Sequence, residues 1–195
     1  TLVSIAIIAQ QSNLNIELHH EGVQKGYSTM SVNPAFTPSN TSAPSNIWYD
    51  DCSDANNWIF ENTSTLNIDW RIEYDPNATP AGGTLTPMAS ATASNGFMFV
   101  NSDADGGSTD NDGTTIECTF TNVTPIDLSS YPYVQLSFQH NFRWWKDTRI
   151  VEVSGDNGVT WSQVDEISND ANYSYANQSS DNPHMSTYDI SAVAG

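Results

Sequence analysis

The stretch from Asn101 to Asp112 carries the densest oxygen-donor chemistry in the chain. Asn101, Asp103, Asp105, Gly107, Thr109 and Asp112 offer side-chain or backbone oxygens at alternating positions, and Gly106 supplies a sharp turn between them. A hard divalent cation wants roughly six to eight such oxygens, so the ligand predicted here is Ca2+. The chain has 23 acidic and 5 basic residues, a net charge of −18, which a bound divalent ion would partly relieve. An acidic turn exposed to solvent is the alternative. Asp50 and Asp51 form a second candidate cation site.

Other residues bear different chemistry. Arg143, Trp144 and Trp145 set two indoles beside a guanidinium, which suits stacking on a sugar or a protein surface. Adjacent strand residues point to opposite faces, so cross-strand packing of one indole is the competing reading. Cys52 and Cys118 are the only cysteines. They would close a long disulfide loop in an oxidising compartment or pack as buried thiols. His19, His20 and Glu21 begin a zinc-protease spacing, but position 24 is Gln24 and the second histidine is missing. His140 and His184 have no sequence partners and read as structural or surface residues. With no nucleophile–base pair, zinc motif or phosphate-cradling loop in the sequence, the expectation is a protein that is not an enzyme. The shortage of Lys and Arg argues against nucleic acid as a partner.

These residues need strands to position them. Val134, Leu136, Phe138, His140 and Phe142 alternate with Tyr133, Gln135, Ser137, Gln139 and Asn141, the period of a half-buried strand. Further strands are predicted over 47–50, 58–61, 68–74, 96–101, 114–121 and 149–154, and from Val159 onward, with helix signals nearly absent. Over 68–74, Ile68, Trp70 and Ile72 share one face. Over 114–121, Ile116, Cys118 and Phe120 point inward. The turn after Ser154 reads Ser154-x-Asp156-x-Gly158-x-Thr160-Trp161 and resembles the Asp-box of sialidases and many secreted β-proteins. A propeller enzyme would need several copies, so the single motif reads as a folding device. Likewise the 101–112 loop resembles EF-hand-type calcium loops, with Asn101 at position one, Asp112 for Glu at position twelve, and a strand where a helix would stand.

Residues 2–9 form an apolar run too short for a membrane-spanning helix. It reads either as the tail of a secretory signal peptide or as a buried or donated strand. Residues 31–45 are rich in Pro, Ser, Thr and Asn, which is linker chemistry. The expected organisation is an N-terminal segment and linker over 1–45 and a β-domain over 46–195.

A resemblance covers that second part. Ile47-Trp48-Tyr49-Asp50-Asp51, Ala91 to Phe97, Asn101-Ser102-Asp103, Ile126 to Ser129, Tyr131-Pro132, Leu136 to Phe138, the Asp-box and Asp189-Ile190-Ser191 look like a MAM-like or concanavalin-like jelly-roll module. Such modules occur in secreted and cell-surface proteins of bacteria that use type IX secretion, and beside secreted peptidases. The resemblance implies an all-β antiparallel sandwich, a jelly roll, that lacks its closing C-terminal strands, supplied either by a longer chain or by the apolar N-terminal run of another copy. It also implies an extracellular or cell-surface location. The first function expected is a calcium-stabilised binding or adhesion module for a glycan or protein surface. An accessory domain of a secreted peptidase or glycoside hydrolase is an alternative. So is a fibre subunit that self-associates by donating residues 1–10 to the next copy.

Overall fold

The computed structural model describes residues 2–8, 15–21, 46–64, 66–80, 85–101, 117–144, 148–167 and 178–194. In order, the strands are β1 (Leu2–Ile8), β2 (Asn15–Glu21), β3 (Trp58–Asn62), β4 (Arg71–Glu73), β5 (Phe97–Phe99) and β6 (Cys118–Asn122). They continue with β7 (Gln135–Asn141), β8 (Arg143–Trp144), β9 (Thr148–Ser154), β10 (Ser162–Ile167), β11 (Gln178–Ser179) and β12 (His184–Asp189). No α-helix occurs among the described residues, and none of their helical turns is long or apolar enough to cross a membrane.

Every pairing among the described residues is antiparallel. One five-stranded sheet runs β12-β7-β1-β5-β4, a second runs β10-β9-β2-β6-β3, and β11 pairs with β8 alone. The early strands take central positions: β1 lies between β7 and β5, with Ile5 opposite Phe138, and β2 lies between β9 and β6, with Leu18 opposite Val151 and Phe120. Residues 2–8 therefore form a strand here. The expected boundary near Asn46 falls between strands of the same two sheets.

The two sheets share one core. Met98, Leu136 and Phe138 from the first meet Trp58, Phe120, Val151 and Val153 from the second. Phe120, fully buried, is held edge-on by Trp58 at 5.4 Å and Trp70 at 4.9 Å, the geometry aromatic quadrupoles prefer. Trp70 Nε1 donates to the Cys118 carbonyl at 3.1 Å, tying the lead-in to β4 onto β6 of the other sheet. A smaller cluster lies behind β5, where Phe97 and Phe99 pack with Met88 and Ala93 from the 85–95 segment.

The expected alternation holds on the core side: Val134, Leu136, Phe138, His140 and Phe142 are all buried, as are Ile68, Trp70 and Ile72. On the opposite face Ser137 and Asn141 are buried as well. Ser137 shares a hydrogen bond with Thr187, and Asn141 Nδ2 donates to the Thr86 carbonyl. Several expected strands are shorter or absent, three of them for an identifiable local reason. Residues 47–50 are not a strand; the Asp50 carboxylate instead accepts the Cys52 amide at 2.7 Å and closes a tight turn. Strand β4 begins only at Arg71, because Asn62 Nδ2 takes the carbonyls of Leu66 and Ile68. Strand β10 begins at Ser162, because Asp156 holds both the amide and the hydroxyl of Thr160.

Gly96 is where backbone meets backbone. Its φ of 141° suits glycine alone, and a Cβ there would stand 2.3 Å from the Cys52 carbonyl oxygen. Gly96→Ala is expected to cost about 2 kcal/mol or more in urea unfolding. An unchanged midpoint would show that this approach is not tight.

Candidate functional site

Strand β9 alternates Arg149, Val151 and Val153 into the core, so a guanidinium enters where an apolar side chain would be expected. Arg149 is 2% exposed. Its Nη2 donates to Asp165 Oδ2 on β10 and to the Tyr188 hydroxyl on β12 at 3.1 Å. The Tyr188 hydroxyl donates to the same Asp165 oxygen at 2.5 Å. Beneath them lies the Phe138 ring, 5.4 Å from Arg149 Cζ, a cation–π contact inside the core. Because β10 and β12 are edge strands of different sheets, this triad joins the sheets along one side. Burial pushes the Tyr188 phenol pKa upward, opposed by the neighbouring Arg149 and aided by Asp165.

Two residues along β7 from Phe138, His140 continues the group. It is 1% exposed, shares a 2.9 Å hydrogen bond from Nε2 with Ser186 Oγ, and meets the His184 ring edge-on at 5.0 Å. Burial first, then the charge of Arg149 and then His184, lowers its pKa to about 3. Its Nδ1, and Nε and Nη1 of Arg149, have no hydrogen-bond partner among the described residues. Ser186 and His140 have the atoms of a nucleophile–base pair. The serine is buried, no group among the described residues orients Nδ1, and an imidazole with so low a pKa is a weak base. The contact therefore reads as core hydrogen bonding. Sequence could not assemble this group, since its members lie as far apart as Phe138 and Tyr188 and meet only through the strand order.

The residues singled out from sequence are scattered. Of the 101–112 loop only Asn101 is described; its Oδ1 is buried with no hydrogen-bond partner among the described residues. Asp103, Asp105, Gly107, Thr109 and Asp112 lie outside the described residues. Among those described, no group of three or more His, Cys, Asp or Glu is arranged to hold a metal. Asp50 and Asp51 are held by backbone and side-chain donors. Asp50 accepts from the Cys52 amide, Asn57 Nδ2 and Trp58 Nε1, while Asp51 accepts from the Ser53 amide and from Asn95 Nδ2 at 2.7 Å. Hydrogen bonds from Ser53 and Asn95 lower the Asp51 pKa. Arg143 and Trp144 form β8, opposite Ser179 and Gln178. Trp145 lies outside the described residues.

The β9–β10 turn is closed by local bonds. Asp156 accepts the Ser154 hydroxyl at 2.8 Å, the Thr160 amide at 2.8 Å and the Thr160 hydroxyl at 2.6 Å, while Ser154 Oγ accepts the Gly158 amide. Asn157 and Gly158 both take positive φ. The Thr160 and Ser154 bonds lower the Asp156 pKa to about 2. Trp161, the last residue of the motif, is half-buried.

Compared with family models, curated proteins and solved structures, the chain gives no match.

Cys52 and Cys118 are both fully buried and both thiols, with no disulfide between them. Burial raises the Cys118 pKa to about 12, which suppresses the reactive thiolate. At neutral pH a thiol-specific reagent is expected to label neither cysteine in the native chain and both on unfolding. Rapid native labelling would contradict the burial, and no labelling after unfolding without reductant would indicate the disulfide.

Proposed function

We propose that this chain is an extracellular binding module, a jelly-roll β-sandwich stabilised by Ca2+, that engages a glycan or protein surface without catalysing a reaction. The observation that carries this reading is the use made of its best-connected carboxylates. Asp50 and Asp156 brace turns and Asp165 holds a buried arginine, so each is satisfied inside the protein. Groups held this way maintain a scaffold, which leaves recognition to loops and faces. The jelly-roll assignment is supported by the path of the chain, which passes between the two sheets from β1 to β2, β3 to β4, β5 to β6, β6 to β7, β7 to β9 and β10 to β12. The net charge of −18 and the low Lys content favour a cation-rich setting outside the cell.

Calcium belongs to the proposal through the 101–112 loop. Asn101 Oδ1 is a buried acceptor at the first ligand position with no partner among the described residues, the kind of group that a cation would satisfy. In this reading Arg143, Trp144 and Trp145 contribute to the ligand-binding surface.

Strand donation between copies is a second reading, favoured by the central position of β1 between β7 and β5. A donated strand in that position would complete the acceptor sheet. It predicts concentration-dependent oligomers that persist through gel filtration.

For the calcium-stabilised module, thermal unfolding of the whole chain should shift upward with excess calcium relative to chelator. At a hundredfold excess over Kd, binding to the native state alone adds about 2.7 kcal/mol. The shift should vanish on replacing Asp103 and Asp105 by Asn, and its absence in the unaltered chain would remove calcium from the proposal. Retention on immobilised extracellular glycans or proteins, weakened by Trp144→Ala with Trp145→Ala, would support the binding role. Turnover of chromogenic glycosides or peptides by the purified chain would overturn it in favour of an enzyme.

A further inference from the structure

We propose that the Arg149–Asp165–Tyr188 contact is an acid-released clasp across the side of the molecule where edge strands β10 and β12 meet, and that protonation of His140 releases it. The triad is a cross-sheet contact between these strands: Tyr188 Oη reaches Asp165 Oδ2 at 2.5 Å, and Arg149 Nη2 bonds to both. Around it the charge balance is narrow. Among the described side chains, one carboxylate, Asp165, faces one permanent cation, Arg149. The two imidazoles, His140 on β7 and His184 on β12, stand edge-on at 5.0 Å. Strand β12 carries Tyr188, a member of the triad, and ends at Asp189, which is exposed. Strand β1, beside β7, carries no titratable side chain, and β2 brings His20 into register with Arg149.

A proton on His140 places a second cation in this buried group with no added anion. It also makes both ring nitrogens donors, and Nδ1 faces no acceptor among the described residues. Both effects favour an arrangement in which His140 reaches water. The sign follows from its lowered pKa of about 3 against an ordinary 6.5. Because the folded group binds its proton less readily than the open one, closure is at full strength above about 6.5. It is lost progressively as pH falls through the window down to about 3. Within that window a one-proton opening grows about tenfold for each pH unit.

The test is amide hydrogen exchange of the full chain from neutral pH down to about 4, corrected for intrinsic exchange rates. Protection over residues 162–167 and 184–189 should fall about tenfold per pH unit while that of β5 and β6 holds. His140→Gln and His140→Leu should flatten this dependence. Side-chain nitrogen NMR of the unaltered chain should show His140 gaining its proton in step with the opening, which keeps the test valid if the variants fold poorly. The proposal is overturned if His140 stays neutral through the opening or if folded variants keep the same dependence. It is also overturned if the edges and the central strands lose protection together.

Discussion

Backbone pairing through β1 and β2 is the constraint on which the rest of the architecture depends. Each sheet places an early strand at its centre, so without them the first would divide into β12-β7 and β5-β4, and the second into β10-β9 and β6-β3. Buried amides and carbonyls must be paired, and the inner edges of β7, β5, β9 and β6 find their partners on these two strands. The aromatic contacts around Phe120 and the cross-sheet polar group act on sheets that this pairing has already joined.

Polar side chains divide into two kinds by the distance over which they act. Asp50, Asp51 and Asp156 take donors mostly from within a few residues, and they fix turns that begin or end strands. Arg149, His140, Ser186, Tyr188 and Asp165 join four strands and both sheets. Within the local group Asp51 and Asp156 keep contact with water, while Asp50 is buried in its turn. The long-range group is largely withdrawn from water, where each added charge is costly.

What could be read from the sequence follows that division. The alternation of Val134 to Phe142 and of Ile68 to Ile72 exposed the core faces, because burial on one side imposes a period of two. The Asp156 hairpin was legible because its partners lie within four residues. Strand ends were less legible: Asn62 and Asp156 intercept the backbone groups that would have extended β4 and β10. The cross-sheet group was hidden, since nothing near Arg149 in sequence announces that Tyr188 and His140 will lie beside it. The placement of residues 2–8 remained open between two readings until their strand partners were known.

The β9–β10 hairpin has chemically different ends. Its turn is closed by Asp156, whose carboxylate stays ionised down to about pH 2. Its open end, where Arg149 stands opposite Ile167, lies beside a histidine that resists protonation until about pH 3 for as long as the arm is closed. Such a hairpin has a fulcrum and a free arm. Acid that loosens the arm leaves the fulcrum intact, so the displaced strand stays tethered in register and can fold back when the pH recovers.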